Sequence, residues 1–329
     1  MTLPVRVSRI MSALVLLALD SAFGVAQAAE PQYPTRPVRM VVPFAPGGGS
    51  DILARTLAPK LSAATGQTWV VDNRSGAAGN LGAEIVARAN PDGYTVLKAL
   101  STQLTANPSL YKLSFNVQKD LQPVTMLGTT EHVLVVHPGV PARTFKEFLA
   151  LAKQKPGTLN YASAGAGSAV HMAAELLKYR TGIDLVHIAY KGGGPAALAV
   201  LAGEAQVMTA TPASVVPFVT AGRLRALATT GPRRSKVLPD LPTVAESGFP
   251  GFDTSQWYGV LVPAATPKSI TQRIRNEMLK ALEQPDVRAA LVTQGVEPET
   301  TTPEELAARI KTETAAYASV IKAAGIRAE

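Results

Sequence analysis

Apolar and polar positions alternate along this chain in a way that changes period every dozen residues or so. Val38 to Val42 is a continuous apolar run bounded by turn residues, as a buried strand requires. Ser50 to Ala63 then places Ile52, Leu53, Leu57 and Leu61 on one helical face, with Pro59 expected to kink its second half. Thr68 to Asp72 predicts a second strand, Leu81 to Ala89 a second helix closed by Asn90-Pro-Asp-Gly93, and Tyr94 to Leu97 a third strand. Strands separated by helices of this length mean βαβ units and a mainly parallel sheet.

The rhythm breaks once and then resumes. Val124 to Gly128 and Val133 to His137 are strands divided only by a short polar break. Helix and strand then alternate: Phe145 to Lys155, Leu159 to Ala162, Ser168 to Arg180, Leu185 to Tyr190, Ala196 to Ala202, Ala205 to Met208 and Leu224 to Ala228. Trp257 to Val262 is a last strand, followed by helices over Ser269 to Leu282, Pro285 to Gln294 and Pro303 to Ala324. Thr301 or Thr302 can cap the final helix, with Pro303 at its start and Glu304 and Glu305 in its first turn. A terminal helical block with no strands of its own most simply covers the first sheet. The expected class is therefore α/β with two lobes, each a mainly parallel sheet flanked by helices. Residues 29–129 plus 255–329 make a discontinuous first lobe, and residues 130–254 the second. A chain of 329 residues is long enough for two such cores.

Residues 1–28 stand apart as an export signal: Arg6 and Arg9, then an apolar stretch from Ile10 to Leu19, then Ala26-Gln-Ala28 at the cleavage position. About ten apolar residues are too few to span a bilayer. The mature protein is expected to start at Ala29 and to work in the periplasm. With 0 Cys there is no disulfide framework and no thiol chemistry. The net charge of +8 could suit an anionic partner, but no basic run is interleaved with aromatics, which argues against nucleic acid.

Candidate chemistry gathers at the turns between strands and helices. Pro43 to Asp51 contains Gly47, Gly48 and Gly49, yet it lacks the Lys-Ser/Thr pair of a P-loop and the spacing of a dinucleotide fingerprint. What remains is a turn that brings bare N–H groups and a helix start close to a small anion, or simply caps its helix through Ser50 or Asp51. Gly76-Ala-Ala-Gly-Asn80 precedes a helix in the same way, and Ser101-Thr-Gln103 lies where open α/β sheets bind ligands. Tyr161-Ala-Ser-Ala-Gly-Ala-Gly-Ser168 resembles a nucleophile elbow without its first glycine, so Ser163 and Ser168 read better as ligand-binding hydroxyls than as nucleophiles. Tyr190-Lys-Gly-Gly-Gly-Pro195 is a further glycine turn, where Lys191 could add a cation. No histidine or carboxylate spacing suits a metal, and no cofactor is expected.

Taken in order, Tyr33-Pro-x-Arg-Pro37, Val42-Pro-Phe-x-Pro-Gly-Gly-x-x-Asp51, Gly79-Asn-x-Gly-Ala-Glu84, Pro91-Asp-Gly-Tyr-Thr95, Asn160-Tyr-Ala-Ser163 with Gly167-Ser168, Tyr190-Lys-Gly-Gly193 and Pro239-Asp-Leu-Pro-Thr-Val-Ala-Glu246 resemble the Bug-type substrate receptors of tripartite tricarboxylate transporters. The resemblance implies a two-lobed type II periplasmic binding protein fold that closes on a carboxylate, a di- or tricarboxylate or an aromatic acid, and hands it to membrane permease subunits. It implies a monomer that is not an enzyme. It carries ligand contact onto Phe44, Ala45, Pro46, Gly47, Gly48, Ser50 and Asp51, onto Ser101 and Thr102, and onto Ser163, Ala164, Gly165, Gly167 and Ser168. Tyr190, Lys191 and Gly192 complete the set, with Thr209 and Ala210 at the end of the Gly-Glu-x-x-Val-Met strand. Many relatives carry an acidic residue where this chain has Ala210, which disfavours a ligand bearing an amine; Ala166 replaces a frequent asparagine. An exported serine hydrolase and a ligand-sensing partner of a two-component system remain the alternatives.

Overall fold

The computed structural model describes residues 33–328, so the export signal and its cleavage site lie outside the described residues. From Arg36 onward the chain is one compact unit. Its strands are β1 (Val38–Val42), β2 (Trp69–Asn73), β3 (Thr95–Leu100), β4 (Leu121–Thr130), β5 (Val133–Val136), β6 (Asn160–Ser163), β7 (Val186–Ala189), β8 (Val207–Ala210), β9 (Arg225–Thr229) and β10 (Gln256–Pro263). They form two sheets, in the orders β2-β1-β3-β10-β4 and β7-β6-β8-β5-β9. The helices are α1 (Gly49–Thr65), α2 (Asn80–Ala87), α3 (Ser101–Thr105), α4 (Asn107–Leu110), α5 (Val117–Asp120), α6 (Phe145–Gln154), α7 (Ala169–Thr181), α8 (Gly193–Ala202), α9 (Pro212–Thr220), α10 (Lys268–Glu283), α11 (Pro285–Thr293) and α12 (Pro303–Ala324). Among them no helix is long and apolar enough to cross a membrane.

The two-lobed α/β architecture is as expected, and each sheet is mixed, with four strands running one way and one reversed. In the first sheet β1 pairs parallel with β2 and β3, while β10 runs antiparallel to both β3 and β4. In the second, β6 pairs parallel with β7 and β8, while β5 runs antiparallel to β8 and β9. Each sheet thus contains one reversed strand, and it is the strand by which the chain enters from the other sheet. A chain that arrives without a crossover helix is free of the parallel βαβ rule.

Each sheet has its own core. Val41, Leu97, Met126, Trp257 and Leu261 fill the first, together with Leu306 and Ile310 from α12. Leu134, Phe145, Phe148, Tyr161, Leu177 and Phe252 fill the second. The cap of α12 is a full box: Thr302 Oγ1 accepts from Glu305 N, and Thr302 N donates to Glu305. Helix α1 runs through Pro59 and ends where Gly66 turns left-handed at φ 67°.

Candidate functional site

The turn after β1 is braced from behind. Asp51 accepts from Gly47 N at 3.0 Å, from Arg55 Nε at 3.0 Å and from Asn73 Nδ2 at 3.0 Å. Asn73 Nδ2 also donates to Phe44 O at 2.9 Å. Burial by itself would raise the Asp51 carboxyl, but the bonds from Arg55, Gly47 and Asn73 outweigh it and hold the group below the usual carboxylate range. The turn after β6 is shaped by Gly165 and Gly167, at φ 111° and 84°. Ser168 caps α7 by accepting from His171 N, and His171 Nδ1 accepts from Gly167 N.

These turns meet across the seam between the sheets. Ala45 N donates to Lys191 O at 3.1 Å, and Tyr111 Oη donates to Ala166 O at 2.5 Å. Between them lies a cavity of about 40 Å³. Phe44, Gly48, Gly49, Ser50, Leu100, Gln256 and Tyr258 line it from one lobe; Ala164, Ser168, Ala169, Val170, Gly193, Met208, Thr211 and Ser214 line it from the other. The first turns of α1, α7, α8 and α9 therefore all face it. Opening N–H groups of a helix have no partner within the helix, so Gly49, Ser50, Ala169, Val170 and Gly193 can offer theirs to a ligand. A compartment of about 240 Å³ adjoins through Phe44 and Ala164, lined also by Gly76–Gly79, Tyr111, Gly165, Ala166, Tyr190 and Lys191. Ala77 and Ala78 there hold φ of 45° and 53°, backbone conformations that cost a side chain roughly 1–2 kcal/mol each. A third space of about 190 Å³ adjoins through Ala169 and Gln256. Larger cavities lie beside Arg233, Arg234 and Lys236 and beside Pro138 and Arg225, away from these helix starts.

The expected site residues divide accordingly. Phe44, Gly48, Ser50, Ala164 and Ser168 line the central cavity, and Gly165, Tyr190 and Lys191 the adjoining compartment. Ala45, Pro46, Gly47, Gly167 and Gly192 shape the facing turns. Asp51 points away from the cavity and is spent on bracing its own turn. Ser101 accepts from Trp257 N instead, and Thr102 lines the third space. Thr209 donates to Val170 O at 2.6 Å, and Ala210 is fully buried in β8, so neither lines the cavity.

Ser163 is also turned inward. It is 0% exposed and its Oγ lies 2.6 Å from His187 Nε2, with Gly165 N donating to the same oxygen at 3.1 Å. His187 in turn packs against Tyr161 and His171, at ring-centroid distances of 4.8 Å and 4.4 Å. No local pattern signals this serine–histidine contact, which the parallel pairing of β6 with β7 creates. Ser163 lines neither the central cavity nor the adjoining compartment.

Sequence reasoning missed Gln256 and Tyr258, because β10 inserts into the first sheet from the far end of the chain. It also missed Thr211, Ser214 and Met208. Lys98 was missed too: it lies behind the cavity wall, fully buried, with its Nζ 2.9 Å from Ser50 Oγ.

Known proteins bear on this geometry. The family described as "Tripartite tricarboxylate transporter family receptor" matches residues 53–326. Protein BugT of Bordetella pertussis is 36% identical over 297 residues, 90% of this chain and 91% of its own. The structure of R. palustris Rpa4515 with adipate is 34% identical with a TM-score of 0.86, covering 90% of this chain and 99% of that one. MatC (Rpa3494) from Rhodopseudomonas palustris with bound malate is 31% identical with a TM-score of 0.84, covering 88% and 100%.

Proposed function

This chain belongs to the tripartite tricarboxylate transporter receptor family, and from that premise we propose that it captures a small organic carboxylate between its lobes and delivers it to the permease of such a transporter. It is a solute-binding receptor of a periplasmic family and not an enzyme. The observation that carries the carboxylate reading is the convergence of helix starts from both lobes on one cavity. Each helix terminus contributes about 0.3–1 kcal/mol toward an anion, and up to ~2 where partly buried. Charge-assisted hydrogen bonds from the open N–H groups and from Ser50 and Ser168 add roughly 1.5–3 kcal/mol each. Three or four of these, less the cost of association and closure, leave an affinity near micromolar, about −8 kcal/mol. Neutral donors can therefore hold the anion without an arginine.

A space of about 40 Å³ admits only a few water-sized groups, so a dicarboxylate enters when the lobes part. The hinge would be the paired crossings between the lobes, residues 29–129 plus 255–329 and residues 130–254. There Thr230 N donates to His132 O, Thr254 N donates to Thr230 O, and His132 Nδ1 lies 3.0 Å from Thr254 O. Ligand bridging both lobes would bias the closed state. The mature protein would be a periplasmic monomer released by cleavage after Ala28.

The test is a thermal-shift and calorimetric screen of malate, adipate, citrate, benzoate and an amino acid, beside ester substrates. The expected outcome is stabilisation by one or more carboxylates and no ester turnover. Ester hydrolysis without stabilisation by any carboxylate would sink the reading.

A further inference from the structure

Lys98 has no part in the grip just described, and its placement is expensive. It sits on β3 between Leu97 and Ala99, in the middle of the first sheet, and is 0% exposed. Its Nζ donates to Ser50 Oγ at 2.9 Å and lies 3.5 Å from the centroid of the Tyr258 ring. Both of those residues line the central cavity. Among the described residues no carboxylate pairs with it: Asp51, the acid that acts on it electrostatically, has its oxygens taken by Gly47, Arg55 and Asn73. A buried cation without a contacting anion is costly, and an apolar side chain of similar length would pack as well.

The direction of the Ser50 hydrogen bond gives this arrangement a use. An ammonium only donates, so Ser50 Oγ accepts from Lys98 and keeps its own proton for a second acceptor. Among the described residues the Ser50 hydroxyl makes no other hydrogen bond, and it stands in the first turn of α1 at the cavity wall. We infer that Lys98 is a buried cation that acts through the Ser50 hydroxyl, polarising it to donate to an anionic group of the solute, and so selects solutes that set a carboxylate against the start of α1. Lys98 is thus a positioning and specificity residue, and this role rests on the carboxylate reading of the cleft.

The cleft would then be asymmetric. One carboxylate meets Ser50 backed by a full charge, and the rest of the solute meets main-chain donors of α7 and α8. Burial pushes the Lys98 ammonium well below the usual lysine range, with the Asp51 carboxylate pulling partly back. The titratable groups that face it are Asp51 on α1, itself paired with Arg55, and Tyr258 on β10, whose phenol burial pushes up and keeps neutral. An arriving carboxylate supplies the missing counter-charge, so binding draws a proton onto Lys98 wherever the empty cleft leaves the amine neutral.

Calorimetry with malate and adipate tests this on the wild type, Lys98→Met, Ser50→Ala and the double variant. Lys98→Met should weaken binding by about tenfold, since a charge-assisted bond is roughly twice as strong as a neutral one. The double variant should be no weaker than the poorer single one. Ligand-free Lys98→Met should melt at or above the wild-type temperature, because an unpaired buried charge has gone. Between about pH 7 and 10, where both acids are fully ionised, wild-type affinity should fall with rising pH as the ammonium is lost, and Lys98→Met should show a flatter profile. Unchanged affinity in Lys98→Met, or a pH dependence that survives the substitution, overturns the inference. Should Lys98→Met not fold, Ser50→Ala decides: weaker binding with a flattened pH profile supports the role, and wild-type behaviour overturns it. A wild type that binds no carboxylate would instead refute the cleft reading, and this role with it.

Discussion

Gly194 offers the sharpest test of closure. A Cβ placed there would lie 2.3 Å from Pro46 O and 3.0 Å from Gly47 C, both backbone atoms of the opposite lobe. Its φ is not among the positive values, so alanine fits the local conformation of α8 and should favour its first turn. The penalty therefore falls on the approach of the lobes and spares the fold of either one. Relieving the overlap needs a backbone shift of about 1 Å, and overpacking of that kind costs roughly 1–3 kcal/mol. Gly194→Ala should accordingly weaken ligand binding about 5- to 150-fold by calorimetry. The melting transition without ligand should move by no more than ~2–4 °C. Small-angle scattering should show the variant failing to contract when ligand is added. An unchanged affinity with full contraction would show that the turns do not press together in the bound state, and the closed-cleft reasoning would fall.

Further outcomes follow from the same geometry. Asp51→Ala should cost about 1–3 kcal/mol in denaturant titrations, since it removes the acceptor of the Gly47 N–H and one of the two bonds of the Asn73 amide; a loss under ~0.5 kcal/mol would show that the turn holds without its brace. Ser163→Ala should lower stability by about 1 kcal/mol and leave carboxylate affinity within roughly threefold; a large loss of affinity would place Ser163 in the site after all. His132 and His171 are pushed down to about 4, each first by burial and His171 next by His187. Their folded values lie below the unfolded one, so their stabilising contribution is whole above about pH 6.5 and is lost as pH falls toward 4. Each can contribute about 3 kcal/mol across that window. Melting temperatures should drop there, less steeply in His132→Gln, and a flat profile would refute the assignment.

Much of this was legible where local pattern and tertiary role agree. The strands and amphipathic helices of the first βαβ units, and the span of α12 from its Pro303 start, follow from periodicity and capping. The short helices α3, α4 and α5 were not readable, because four or five residues carry no helical period. Helix α9 was hidden by Pro212 and Pro217, which read as breakers. The glycine turns announced themselves, but which polar residues face the cleft did not. Asp51 and Ser163 carry suitable chemistry and spend it on their own turns. The third strand expected from the sequence stops at Leu97. In the structure it continues to Leu100 with Lys98 buried, and a charge inside an apolar run was the overlooked signal.

The reversed strand β10 has a consequence for how the molecule is made. It occupies a place between β3 and β4 in the first sheet, yet it is the last strand to be synthesised. Until it arrives, β3 and β4 present open hydrogen-bonding edges with nothing between them. Assembly of the N-terminal lobe is therefore deferred to the end of translation and depends on a pairing of very long range, the kind that forms slowly. A first lobe that waits on β10 stays incomplete through most of the chain's synthesis.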